Sequence, residues 1–237
     1  HLDSEKSHSF NLSYSNFTQK FNINLSARYS FTNNSIEQVT EQVKDTEIEG
    51  LQNPTGKEVL YSTYQNIGKS RNASLSGYVN WNATSNTRIY ANLYGNYTYM
   101  EGANGLKNDG WNLFAYGGAQ QSLPHDWRIS LNIYGQTPWI MLQGKGSSFF
   151  DYGLSVNKSF LNKRLTLSAF ASNFFKKYTS PTSSIEGVGF TQDSWNRYTR
   201  QRFGVSVSYR IGELKASVKK AARTISNDLS LIHISEP

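Results

Sequence analysis

Apolar and polar residues alternate strictly along much of the chain. From Phe21 one parity reads Phe21, Ile23, Leu25, Ala27, Tyr29, Phe31; the other reads Asn22, Asn24, Ser26, Arg28, Ser30, Thr32. A period of two sustained over about a dozen residues describes a strand whose two faces meet different media. The pattern starts at 10–15 and recurs at 73–81, 89–99, 111–119, 127–135, 152–156, 165–171 and 203–211, which with 21–32 predicts nine strands. A period of 3.6 occurs nowhere before residue 212, so no helix longer than about two turns is expected there.

The connections carry as much information as the strands. Those at 17–20, 82–87, 122–126 and 160–164 are short; those at 33–60, 100–110, 136–149 and 176–196 are long, and the two kinds alternate without exception. A soluble sandwich gives no reason for this. A transmembrane barrel does, because one rim has tight periplasmic turns and the other has longer extracellular loops. The polar parity is mostly Ser, Asn, Thr, Gln and Tyr with Arg28, Arg88, Arg128 and Arg210, which suits a wet, crowded lumen. The apolar parity mixes Leu, Ile, Val, Ala and Gly at mid-strand with Trp81, Tyr97, Tyr99, Trp111, Trp127 and Trp139 towards the ends, the order of an aromatic girdle. The competing reading is a soluble β-sandwich or β-solenoid with a Tyr-rich core.

Composition agrees with the barrel. Charged residues are 17%, against about 25% in soluble domains. Aromatics are 14%, the net charge of +7 is spread along the chain, and no cysteine is present to form a disulfide or a thiolate metal site. No run approaches the ~18 apolar residues of a membrane-crossing helix. Residue 1 is His and no signal peptide is visible, so the chain is expected to begin in mid-protein.

Three stretches carry a family resemblance: YQNIGKSRNASLSGYVNW (64–81), LQGKGSSFFDYGLSVNKSFLNKRLTLSAFASNFF (142–175) and RFGVSVSYRIGELKASVKKAARTISND (202–228). They resemble the C-terminal barrel of the TonB-dependent-receptor-like outer-membrane β-barrel family of Bacteroidota. The resemblance implies an all-β, antiparallel up-and-down barrel of about twenty-two strands with a plugged lumen, of which this chain would hold the last nine. It implies uptake or binding of a nutrient, an upstream plug domain and a periplasmic energy-coupling protein as partners, outer-membrane lipid around the barrel, and no enzymatic activity. On this reading residues 1–212 are barrel strands, and 213–228 are a basic periplasmic tail. There Lys215, Lys219, Lys220 and Arg223 interleave with Leu214, Val218, Ala222 and Ile225 in a helical pattern. Residues 229–237 (LSLIHISEP) fit no family tail and read as non-native read-through. The alternative function is a non-transporting structural or adhesive outer-membrane barrel; an outer-membrane enzyme comes third.

No catalytic, metal or cofactor constellation stands out, and no cofactor is expected. A Ser–His–Asp triad needs a His within reach of a nucleophile. His8 beside a Ser is the sole candidate, since His125 falls in the short turn LPHDW, where Pro124 and Asp126 favour a tight bend. Glu37, Glu41, Asp45, Glu47 and Glu49 make a mildly acidic stretch in the first long connection, for which a solvated loop is the better account than calcium. GKGSS (144–148) lacks the spacing and following helix of a phosphate loop. Nucleic-acid binding is not expected, because no domain-wide basic face appears. Ligand contacts, though no ligand is identified, are expected from the long loops, where Trp139, Tyr178, Trp195 and Tyr198 offer flat rings, with the interface belt as the competing role for each. The sheet should be open, with its first and last strands free on one side. Leu25, Ala27, Leu75, Val79, Leu93, Leu131, Leu167, Val205 and Val207 should face outward, and Asn24, Ser26, Arg28, Ser76, Asn80, Asn92, Ser130, Ser206 and Ser208 should line the concave side.

Overall fold

The computed structural model describes residues 2–102 and 105–211. The expected tail helix and the read-through segment lie outside the described residues. Nine strands form one sheet: β1 (Lys6–Phe17), β2 (Phe21–Asn33), β3 (Lys69–Asn82), β4 (Thr87–Glu101), β5 (Lys107–Leu123), β6 (Trp127–Gln136), β7 (Phe149–Phe160), β8 (Leu165–Ser172) and β9 (Arg202–Tyr209). Each pairs antiparallel with its neighbours in sequence, and β1 and β9 are the two edges, so the sheet is open. The nine strands foreseen from alternation are these nine. Several run further than their alternation, β5 by eight residues and β7 by seven, because their ends are carried by ladder hydrogen bonds rather than by a contrast of media.

The register shows why the strands tilt. One outward row runs Trp81, Ile89, Ala119, Leu131, Leu154, Ala171, Phe203. It starts at the short-turn end of β3 and finishes at the long-loop end of β8 and β9. Such a stagger across a sheet is the shear that a closing barrel requires. The turns at the short-connection rim are tight: His125 and Asp126 sit at φ 61° and 60°, and Leu161, Asn162 and Lys163 at 53°, 53° and 66°.

The apolar parity finds no cover within the chain. Leu75 is 63% exposed, Leu93 56% and Val205 78%, and Leu25, Leu131, Leu167 and Val207 are exposed with them. Ala27 and Val79 are half-buried instead, since Ala27 is flanked by Leu12 and Leu75 and Val79 by Ile23 and Ala91. An apolar belt on this scale is far beyond what water-soluble monomers tolerate; its natural solvent is hydrocarbon. Aromatics fringe it. Trp111 packs on Tyr97 at 5.5 Å towards the long-loop end, and Trp81 and Trp127 stand exposed at the other. Among the described residues, the buried apolar side chains are Val39, Ile67, Met100, Ile140 and Leu142, all at the long-loop rim.

The long connections are themselves built of strands. Ile36–Lys44 pairs with Glu58–Asn66 as a hairpin rising from β2 and β3. Ile140–Met141, Gly144–Lys145, Thr182–Gly187 and Phe190–Trp195 make a four-stranded sheet, and Tyr178–Thr179 pairs with Tyr198–Thr199 as a ribbon above β8 and β9. The small core of Val39, Ile67, Met100 and Leu142, with Leu106 against it, joins the first three long connections. The Gln143 side chain links the first to the third. Its amide oxygen accepts from the Thr40 N–H at 2.6 Å and its amide nitrogen donates to the Thr40 carbonyl at 2.8 Å.

Candidate functional site

The polar parity forms continuous rows across the sheet. One reads Asn22, Asn80, Tyr90, Gly118, Asn132, Gly153, Ser172, Arg202; the next reads Asn24, Tyr78, Asn92, Tyr116, Tyr134, Asp151. Concavity shows in one contact. The Tyr90 hydroxyl on β4 donates to Asn132 Oδ1 on β6, reaching over the intervening β5. Gly118 makes room for it: a Cβ there would lie 2.7 Å from the Tyr90 hydroxyl and 2.9 Å from Asn132 Oδ1. The rows are bonded along their length, with Arg88 Nε donating to Asn80 at 2.6 Å and Thr98 donating to Asn72 at 2.8 Å. Rings of Tyr90, Tyr116, Tyr134 and Phe149 follow one another at 5.8, 6.2 and 4.8 Å. Such a wall offers hydroxyl and amide groups over aromatic faces, which suits a hydrated solute rather than an apolar one.

By alternation this face of the nine strands carries Arg28, Arg88, Arg128 and Arg202, and its one carboxylate is Asp151. At the long-loop end it opens into a cleft of ≈ 690 Å³ lined by Asn132, Tyr134, Asp151, Asn173, Arg200 and Arg202, among others. Arg200 ion-pairs with Asp151. Asn173 is buried at the turn after β8; its Nδ2 donates to Asp151 Oδ1 at 2.8 Å, and its Oδ1 accepts from the Tyr152 N–H at 3.2 Å. The Arg200 guanidinium lies 5.5 Å from the Phe149 ring centre and 5.4 Å from that of Tyr198. Asp151 is thus held by two partners and Arg200 by three, a rigid rim in which Arg202, exposed on the neighbouring row, has no ion-pair partner among the described residues.

Of the four aromatic residues singled out in the long connections, Tyr198 reaches this cleft. Tyr178 lies on the other side of the same ribbon, Trp139 covers Gly146, and Trp195 ends the outermost loop strand. Asp151, Asn173, Arg200 and Arg202 were not singled out by sequence; the available signal was the one acid on the polar parity beside a pair of arginines. The acidic stretch does not converge, and among the described residues no three His, Asp or Glu side chains are grouped to hold a metal. Asp45 instead closes its own loop: its carboxylate accepts from the Thr55 hydroxyl at 2.7 Å and from the N–H groups of Thr55 at 2.6 Å and Gly56 at 2.7 Å. The Thr55 hydroxyl first, and these amides with it, hold the Asp45 carboxyl below its ordinary value. Burial raises that of Glu37, with the Ser35 hydroxyl opposing. His8 stacks on Phe31 at 5.0 Å, and His125 stays in its turn.

No curated protein and no solved structure matches the chain. The outer membrane protein beta-barrel family matches residues 1–209. With an uncovered apolar belt, a polar concave face and staggered antiparallel strands, this chain belongs to the outer membrane protein beta-barrel family and takes its place in the lipid of the outer membrane.

Proposed function

We propose that the chain is the C-terminal part of an outer-membrane receptor or transporter barrel of the TonB-dependent-receptor-like kind, which binds or imports a hydrophilic nutrient and catalyses no reaction. The observation that carries this is the inner face: rows of Asn, Ser and Tyr with four arginines and one acid, continuous from the short turns to the Asp151–Arg200 cleft. Hydrogen-bonding walls pass or hold a hydrated solute, because they replace the water it sheds. In this reading the long connections are extracellular and the tail is periplasmic. An upstream plug domain fills the lumen, and a periplasmic energy-coupling protein acts on that plug.

The test is electrical. The full-length protein in a planar bilayer is expected to be nearly silent, and removal of the upstream domain is expected to open a wide ion-conducting pore. A barrel that stays silent without that domain has a lumen filled by its own side chains. That result would refute transport and leave a structural or adhesive barrel.

A further inference from the structure

We propose that the outward side of the ribbon above β8 and β9 is a binding site for the phosphate of a lipid headgroup, with Lys177 and Arg197 as its cationic ligands. The proposal rests on the placement of the long connections at the outer leaflet.

Directly after β8 the chain reads Phe174, Phe175, Lys176, Lys177, Tyr178. The rings of Phe174 and Phe175 lie 5.1 and 5.8 Å from that of Tyr152, and the Phe175 N–H donates to the Tyr152 hydroxyl at 2.9 Å. Tyr152 pairs with Ile133 on the apolar parity, so this cluster crowns the lipid-facing belt, and Phe175 is 86% exposed. Aromatic rings so placed mark the level where hydrocarbon gives way to headgroups. The next residues therefore stand at headgroup height.

In the ribbon, Tyr198 faces the cleft beneath Arg200, so alternation turns Tyr178, with its partner Thr199, to the opposite side. The Arg197 guanidinium lies 4.2 Å from the centre of the Tyr178 ring and the Lys177 ammonium 5.3 Å from it. Two cations share one ring, and among the described residues neither has a carboxylate within ion-pair distance. The contrast with other cations near rings is informative. Arg200 has Asp151. Lys158, over Trp127 and Phe160 at the short-turn rim, donates to the His125 carbonyl. Lys177 and Arg197 lack such acceptors among the described residues. A phosphate supplies them: a guanidinium binds two of its oxygens at once, an ammonium a third, and the negative charge relieves their repulsion. The phenylalanines below point to a lipid as the source, since acyl chains would lie against them while the phosphate meets the cations.

The test titrates the full-length protein in dodecyl maltoside micelles with dioctanoyl phosphatidic acid by calorimetry. Dioctanoyl phosphatidylcholine and inorganic phosphate serve as comparisons, and heat-modifiable electrophoretic mobility checks that each variant is folded. Lys177→Ala and Arg197→Ala should each weaken phosphatidic acid binding about tenfold, the loss of one charge-assisted contact. Tyr178→Phe should retain binding, and Lys20→Ala at the opposite rim should leave it unchanged. An equal loss in Lys20→Ala would mean diffuse surface attraction and would overturn the site. Inorganic phosphate binding as tightly as the lipid would overturn the lipid assignment, and no phosphatidic acid binding by the unaltered protein would overturn both. Bilayer conductance does not depend on these residues, so the transport reading stands or falls separately.

Discussion

Replacing Leu93 with arginine is the sharpest perturbation the belt offers. Leu93 faces outward on β4, four residues from Ile89 at one end and four from Tyr97 at the other. The span between those two is 97 − 89 = 8 residues, or ~27 Å of strand at ~3.4 Å per residue. With the strand tilted by ~40°, that is ~21 Å along the membrane normal, close to the ~25 Å height of an apolar band, and Leu93 sits at its middle. Arginine at the midplane costs ~2–4 kcal/mol, falling to ~0–1 near the interfaces. Leu93→Arg should therefore lower the folded-to-unfolded ratio by roughly thirtyfold to a thousandfold, and Ile89→Arg, level with Trp81, by less than about tenfold. Asn92→Arg, one residue away but on the polar face, should cost less than ~1 kcal/mol. The measurement is urea unfolding of the chain in phosphatidylcholine vesicles, followed by tryptophan emission. If Leu93→Arg is tolerated as well as Asn92→Arg, the assignment of the two faces is wrong.

Three other outcomes are expected. Gly118→Leu should break the Tyr90–Asn132 bond and crowd the Leu131 carbonyl, 2.3 Å from a Cβ there, costing ~1–3 kcal/mol in the same unfolding assay; Gly77→Ala, whose Cβ would meet only the Leu25 methyl at 3.3 Å, should be close to neutral. Because the Asp45 carboxyl is held below its unfolded value, its contribution is fully present above that unfolded value and is lost as pH falls through the lower folded one. Hydrogen exchange at the Thr55 and Gly56 amides should therefore accelerate over that acid range, and Asp45→Asn should show the faster exchange already at neutral pH. Converting Arg28, Arg88, Arg128 and Arg202 together to glutamine should abolish any preference for anions in the plug-free barrel, read as the reversal potential across a potassium chloride gradient; an unchanged potential would place these arginines off the conduction path.

Wall and loops differ in how legible they were. The wall strands could be read because each separates two solvents, so a one-residue slip would expose the wrong side and the side chains must alternate. Loop strands face water on both sides and carry no such imprint. In Ile36–Lys44 the apolar residues fall at 36, 39 and 43, a spacing nearer to a helical turn than to a strand. The segment is nevertheless extended, because β-branched Ile, Val and Thr favour the strand and Glu58–Asn66 is there to pair with it. The cleft was half legible for a related reason. Tyr198 announced itself as a ring in a long connection. Asp151, Asn173 and Arg200 meet only through pairings between β7, β8 and the ribbon, and separations of twenty to fifty residues leave no local signature.

The grip of Gln143 on Thr40 involves main-chain atoms alone on the Thr40 side. Such a fastening is indifferent to what side chain the hairpin carries at that point, as a β-ladder is. Position 40 and its neighbours can therefore be rewritten without unhooking the first extracellular hairpin from the third connection, whereas Gln143 itself has no substitute that offers a donor and an acceptor at the same reach. Diversity is licensed on one side of the joint and forbidden on the other, so a barrel of this design can vary the surface it shows to the outside while its canopy keeps a single shape.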